Sequence, residues 1–375
     1  MIRKIAKYVL GSLVLVLMAA LSSALLYRKY LQYTVYEARA IHSPNGIVDL
    51  QRVHIGGIDQ WLEIRGQDVN NPILLFIHGG PGIAFIALSG AFQTPWEKYF
   101  TVVQWDQRGA GKTYASTNLD VLRKTMTVAQ MEQDALEVVN YLRNRFQRDK
   151  VFIVGHSWGS VLGLWLALEH PEVVYAYVGT GQVVSMRKND EVAYQESLQQ
   201  ARLIHNDQAI RDLEGIAPYP PPNIDMRKEN VARTWQGRLL GPPPQTPNFT
   251  EIKRILSDVV SAPQYSLLDD FGFIRGMSFS IQVMVPQMAD IDLGQLGLDL
   301  RTPVYFFEGR HDAFCPSSLI WEYSRAIKAP QKGFVWFESS GHFPFYEEPQ
   351  KFTDELVRDL LPLAKESSVG IPALH

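Results

Sequence analysis

Lys150-Val151-Phe152-Ile153-Val154 is an apolar run of strand length, and Gly155-His156-Ser157-Trp158-Gly159 follows it directly. Val161 to Leu168, rich in Leu and Ala, comes next and reads as helix. A serine between two glycines at a strand-to-helix turn forms a sharp elbow with no room for bulky neighbours. The turn lifts the Ser157 hydroxyl clear of the backbone and aims a helix N-terminus at whatever reacts there. Taken alone, G-x-S-x-G is a common chance pattern and describes any Gly-Ser loop. The strand before it and the helix after it favour a nucleophile, which needs a base, an acid and an oxyanion hole.

Working outward, the chain offers all three at strand ends. Ile73 to Ile77 is a buried-strand run followed by His78-Gly79-Gly80-Pro81-Gly82. Small residues there let backbone N–H groups approach a substrate oxygen, so the donors are assigned to Gly80 and to Trp158, the residue after the nucleophile. Pro303 to Phe307 is a third such run, before Glu308-Gly309-Arg310-His311-Asp312. Phe334 to Phe337 is a fourth, before Ser340-Gly341-His342-Phe343. Ligands bind at the carboxyl edge of an open parallel sheet. His342 is therefore expected to take the Ser157 proton, and Asp312 to hold the imidazole tautomer and stabilise its cation.

The rest of the chain supports such a sheet. Leu50 to Ile55 and Gln60 to Arg65 read as a hairpin across Gly56 to Asp59. Thr127-Val128-Ala129-Gln130 begins a helix to about Phe146 as a capping box. Val128, Met131, Ala135, Val138, Val139, Leu142 and Phe146 give that helix one apolar stripe. Alternating strands and helices imply an α/β fold with a mostly parallel sheet covered on both faces. The alternation stops after Gly179. Residues 184–299 carry many charges and two proline clusters, Pro218 to Pro222 and Pro242 to Pro247, read as rigid turns rather than partner ligands. This segment is expected to be a mainly helical cap, with helices near Val192 to His205 and Ile252 to Val260. The expected organisation is an anchor and stalk at 1–34, a core at 35–183, the cap at 184–299 and the core again at 300–375.

His78-Gly79-Gly80-Pro81-Gly82, Trp105-Asp106-Gln107-Arg108-Gly109-Ala110-Gly111 and Gly155-His156-Ser157-Trp158-Gly159-Ser160 resemble the proline iminopeptidase group of α/β-hydrolases. Gly309 to Asp312 and Gly341-His342-Phe343 match the wider superfamily, whose chain order is also Ser, Asp, His. The resemblance implies a serine hydrolase acting on a small molecule or short peptide through an acyl-enzyme, with no cofactor and no metal. In that group acidic cap residues bind the substrate's free amine, one of them in a Trp-Glu-Gly context. Here the counterpart is Trp235-Gln236-Gly237, an amide in place of the acid. Trp235 and Gln236 are the candidate substrate-binding residues, and ester or N-blocked amide substrates are expected to do as well as free amines. Glu191, Glu196, Glu214, Glu229 and Glu251 could substitute for the missing acid, although each reads first as a solvated carboxylate.

Several rival readings are weaker. Gly109-Ala110-Gly111-Lys112-Thr113 looks like the end of a phosphate-binding loop, but Asp106 stands where that motif needs its first glycine. Asp106 and Arg108 are expected to brace the loop instead. An epoxide or haloalkane hydrolase normally carries Asp at the elbow. A non-catalytic binding protein on the same fold would tolerate loss of a triad member, and none is lost. The 375 residues include a single cysteine, Cys315, which excludes an intramolecular disulfide and reads as a small packed residue. With 36 basic and 39 acidic residues the net charge is −3, and no basic stripe suggests nucleic acid. Nothing in the sequence indicates an oligomeric state.

The N-terminus differs from the rest. Arg3, Lys4 and Lys7 precede an uncharged run from Val9 to Leu26, long enough to cross a bilayer core. A cleaved signal peptide would use Ser22-Ser23-Ala24, but Leu25-Leu26 carry the apolar run past that site. An uncleaved single-pass anchor is therefore expected, contacting the lipid bilayer, with a polar stalk from residue 27 to about 46. Positive charge before the span exceeds that after it, Arg28 and Lys29, and puts the catalytic domain on the extracytoplasmic side.

Overall fold

Helix α1 (Ile2–Ala38) opens the chain in a computed structural model that describes residues 2–242, 252–295 and 297–368. Strands β1 (Ile47–Ile55) and β2 (Ile58–Gly66) then pair antiparallel across Gly56 and Gly57. Both glycines have positive φ, +54° and +78°, as the tightest hairpin turns require. The core continues through β3 (Ile73–Ile77), β4 (Thr101–Asp106), α2 (Gly111–Ser116), α3 (Leu119–Thr125), α4 (Val128–Phe146), β5 (Val151–His156), α5 (Trp158–Glu169) and β6 (Val174–Thr180). Thr127 caps α4 by accepting the Gln130 N–H. The cap follows as α6 (Met186–Leu203), α7 (Asp207–Glu214), α8 (Met226–Leu239), α9 (Ile252–Ser261) and α10 (Leu267–Met288). The core resumes with β7 (Val304–Gly309), α11 (Ser317–Ala326), β8 (Lys332–Phe337), α12 (Pro344–Glu347) and α13 (Pro349–Ser368).

The strands form one sheet in the order β1-β2-β4-β3-β5-β6-β7-β8, parallel from β4 to β8. Side chains alternate across it, as the period of two dictates. Ile73, Leu75, Ile77, Val103 and Ile153 enter the apolar layer under α4 and α5. Leu74, Phe76, Val102, Phe152 and Val154 enter the opposite layer with Phe352, Leu356 and Leu360 of α13. Burial on both faces explains why these strands read as unbroken apolar runs. The expected α/β fold with a mostly parallel sheet and an inserted helical cap is the observed one.

Two local readings need revision. The expected polar stalk is helix: α1 continues without a break to Ala38. Arg28 and Gln32 face the globule, while Lys29 and Glu37 are exposed. Arg28 donates to Asp270 Oδ2 at 2.9 Å and to Tyr265 O at 3.0 Å, while Gln32 donates to Ala262 O and Tyr265 O. Arg39 is buried beside Ser89, Glu63 and Glu97. Two charges of the expected stalk, Arg28 and Arg39, thus meet buried partners rather than water. In the cap, α7, α8 and α10 add to the two helices expected there. Of the second proline cluster, Pro243 to Pro247 lie outside the described residues, as does Glu251.

Candidate active site

Ser157 stands between β5 and α5 with φ +52° and ψ −123°, a conformation that L-residues rarely adopt. Its surroundings impose that turn. A Cβ on Gly155 would come 2.7 Å from Gly159 O, and one on Gly159 would overlap the Ile77 carbonyl at the end of β3. The Ser157 N–H donates to Thr180 O at 3.1 Å, tying the elbow to the end of β6. Ser157 O accepts the Ser160 hydroxyl at 2.6 Å.

His342 lies in the loop after β8, and its Nδ1 is 2.7 Å from Asp312 Oδ2. A nitrogen facing a carboxylate carries the proton, which leaves Nε2 as the acceptor. The other oxygen, Asp312 Oδ1, accepts the N–H groups of Phe314 and Cys315 at 2.8 and 2.9 Å. Gly181 packs on the imidazole so closely that a Cβ there would be 2.8 Å from His342 Nδ1. Gly79 packs on Ser157 in the same manner, its Cβ position 2.7 Å from Ser157 Cβ. Ser157, His342, Gly80 and Trp158 thus line one cavity of about 410 Å³ under the cap.

The shell around these residues was not evident from sequence. Gln107 accepts the Trp158 indole N–H at 3.2 Å and donates to His78 O at 2.8 Å, bridging the elbow to the His78–Gly82 turn. His156 Nε2 lies 2.9 Å from His342 O and holds the backbone of that loop. Burial, and then the neighbouring His342, push the His156 imidazole well below its usual range, so it stays neutral. Burial likewise lowers His78 to about 4. Glu308 accepts the N–H groups of Gly181 and Gln182 at the end of β7, and burial raises its carboxyl well above the usual range. The motifs that contain these residues pointed to them, without saying which backbone group each would hold.

Asp106 and Arg108 are buried braces. Asp106 Oδ2 accepts the Lys112 N–H at 2.9 Å and the Tyr265 hydroxyl at 2.5 Å, and burial lifts the carboxyl to about 7. Lys112 directs its ammonium to Gln264 O and Asp269, joining core to cap. Arg108 pairs with Asp134, both fully buried. Cys315 lines the cavity, its thiol raised well above the usual range by burial. Donor atoms of Asp312, Cys315 and His342 come within 4.8 Å of one another, a spacing that suits a metal ion. The Asp312–His342 hydrogen bond already occupies two of those donors, and a protonated thiol is a poor ligand.

The cap wall differs from the expected one. Trp235 and Gln236 do not line the cavity. On α8 the cavity face is Met226, Glu229, Asn230 and Arg233, at helical spacing. Trp235 turns away and donates its indole N–H to Asp212 at 3.1 Å. Gln236 is fully buried and accepts from Arg233 at 3.3 Å, so it bears on the cavity only through that guanidinium. Arg233 also reaches Asp190 of α6 and lies 3.8 Å from Glu229. Burial raises both carboxyls, and their mutual repulsion raises Glu229 further. Asn189 lines the same wall with its Oδ1 buried and lacking a hydrogen-bond partner. Met186, Ile281, Val285 and Met288 make the remaining wall apolar. Asn189 and Asp190 of α6 and Arg233 of α8 belong to no motif; the helical spacing of Met186, Asn189 and Asp190 on α6 and of the α8 face is the only available signal.

With this geometry in view, the relatives are informative. Residues 72–349 match the sequence profile of the alpha/beta hydrolase fold. The chain belongs to the α/β-hydrolase family. It is 30% identical over 325 residues to a probable aminopeptidase, YbaC, of Bacillus subtilis (strain 168), covering 85% of this chain and 98% of the relative. A probable proline iminopeptidase of Leptolyngbya boryana is 25% identical over 308 residues, covering 75% of this chain and 84% of the relative. Among solved structures, a proline iminopeptidase-related protein of Thermus thermophilus superposes with a TM-score of 0.57 at 20% identity, covering 84% and 99% of the two chains. The chain is thus a hydrolase that resembles proline iminopeptidases.

Proposed function

We propose that this protein is a membrane-anchored serine hydrolase that cleaves an amide or ester bond through Ser157, His342 and Asp312. The observation that carries this reading is the 2.7 Å His342–Asp312 hydrogen bond in the cavity that Ser157 enters from its strained turn. His342 Nε2 takes the Ser157 proton as Oγ attacks the carbonyl carbon. The N–H groups of Gly80 and Trp158 receive the oxyanion, roughly 3–4 kcal/mol of transition-state stabilisation per donor. The imidazolium, steadied by Asp312, then protonates the leaving group. Water repeats the sequence on the acyl-enzyme.

For the substrate, the cap wall favours release of an N-terminal residue bearing a free amine. Asp190, Glu229 and the Asn189 Oδ1 are acceptors for an ammonium, and Arg233 neutralises one carboxylate of the two. The apolar wall and the amide at Gln236 favour a second reading, an esterase for an uncharged acyl group. Apolar character from Val9 to Leu26 supports the anchor, and the basic residues before it support an extracytoplasmic catalytic domain.

The test compares aminoacyl-naphthylamides, prolyl included, with their N-acetyl forms and with p-nitrophenyl esters. Ser157→Ala should lower kcat on every substrate by several orders of magnitude and leave the fold intact. Glu229→Gln should lower kcat/KM for free amines and leave N-acetyl substrates near the starting value. Equal losses on both would remove the amine reading and leave the esterase.

A further inference from the structure

Helix α10 carries an apolar face that nothing in the described chain covers. Leu267, Leu268, Phe271 and Ile274 are 46%, 76%, 63% and 48% exposed. They occupy one side of the first two turns, while Gly272, Phe273 and Gly276 on the other side are buried in the globule. Further along the same outer side the residues become polar, at Arg275, Ser278 and Gln282. The helix surface therefore changes from oily to wet along its own axis.

The oily end is fixed beside α1. Asp270 sits among the apolar residues and accepts from Arg28 at 2.9 Å. Arg28 is the first charge after the apolar run that ends at Leu26. At 1.5 Å rise per residue, Leu267 to Ile274 lie within about one turn of that contact. Tyr27 and Tyr30 of α1, also exposed, stand at the same level. Tyrosines gather where hydrocarbon meets headgroups.

We infer that this α10 face rests in the boundary between headgroups and acyl chains of the bilayer that α1 crosses, so that the cap touches lipid directly. The inference rests on the anchor proposed above. A lipid surface is the occupant that suits these observations: the patch adjoins the end of an apolar span, tyrosines mark that level, and polarity returns with distance from it. The partner is the acyl-chain margin of the membrane, met by leucine, isoleucine and phenylalanine side chains. The same helix continues to Ile281, Val285 and Met288, which line the catalytic cavity. One continuous helix thus joins the lipid surface to the active site.

The experiment places nitroxide labels on the full-length chain in phosphatidylcholine–phosphatidylglycerol vesicles. Leu17→Cys reports on the span, Phe271→Cys on the patch and Gln282→Cys on the polar end of α10. Buried Cys315 is retained, and circular dichroism verifies each fold. Relative accessibility to oxygen over a water-soluble nickel chelate should be several-fold higher at Leu17 and Phe271 than at Gln282. Leu17 in lipid with Phe271 in water would overturn this inference and spare the anchor. Leu17 in water would overturn the anchor and this inference with it. Strong spin coupling between Phe271 labels would place a second copy on the patch and likewise overturn the lipid assignment.

Discussion

Glu347 illustrates how one buried side chain can make stability depend on pH. Its carboxylate accepts the Gly341 N–H at 2.7 Å, one residue before His342. Burial raises its carboxyl from 4.5 to about 7, partly offset by that hydrogen bond. A raised carboxyl means that the folded state holds a proton which the unfolded state releases. Stability therefore falls as pH rises from about 4.5 to about 7 and levels off above. Glu347→Gln keeps an acceptor for Gly341 and removes the ionisation. Its gain in melting temperature over the parent should be largest above pH 7 and should vanish below pH 4.5. A gain independent of pH would show that the carboxyl titrates alike in the folded and unfolded protein.

Among elements, the loop after β4 is held by a fully buried ion pair. Arg108 bonds Asp134 of α4 at 2.8 and 3.0 Å, Thr125 at 2.7 Å and Gly56 O of the first hairpin at 2.7 Å. Asp134→Asn would strand a buried guanidinium, at a cost of about 3–5 kcal/mol. Urea unfolding should show that loss, and Arg108→Met combined with Asp134→Leu should recover much of it. A cost below about 1 kcal/mol for the single change, the range of exposed ion pairs, would mean that water reaches the pair.

Elements also differ in how readily the sequence discloses them. Strands β3, β5 and β7 are buried on both faces, so each is an unbroken apolar run whose neighbours hardly alter its reading. Ser157 and Asp312 each follow such a run, and His342 follows the apolar but only half-buried strand β8. Helix α8 is different. Its inner face carries Glu229, Asn230 and Arg233, whose polarity resembles that of any solvated helix until Asp190 of α6 is brought against it. The Arg28 and Gln32 segment misled for the same reason. A polar side chain declares its need for a partner, and only the tertiary structure shows whether that partner is water or Asp270. Trp235-Gln236-Gly237 was judged by its motif, whereas helical phase decides which of its side chains reaches the cavity.

On the scale of the whole molecule, α1 is both a candidate span and part of the globule. From Arg28 onward it contributes contacts that a shortened protein would lose. A chain beginning at Tyr27 keeps the Arg28–Asp270 pair and the Gln32 hydrogen bonds, and one beginning at Val35 lacks both. The longer form should be the more stable by about 2–4 kcal/mol, given one charge-assisted bond and its buried companions. Thermal unfolding of the two forms measures this directly. Equal melting temperatures would mean that the α1 contacts are dispensable in solution.

The continuity of α1 through Ala38, clasped at Arg28 and Gln32, also removes any swivel between the proposed transmembrane rod and the globule. A span longer than the local hydrocarbon layer tilts to fit it. Here the catalytic domain would tilt by the same angle, and the mouth of its cavity would swing with it. Bilayer thickness would then steer the enzyme mechanically. Hydrolysis of a lipid-borne ester should vary between vesicles of short and long acyl chains, while a freely diffusing ester should be cleaved at one rate in both.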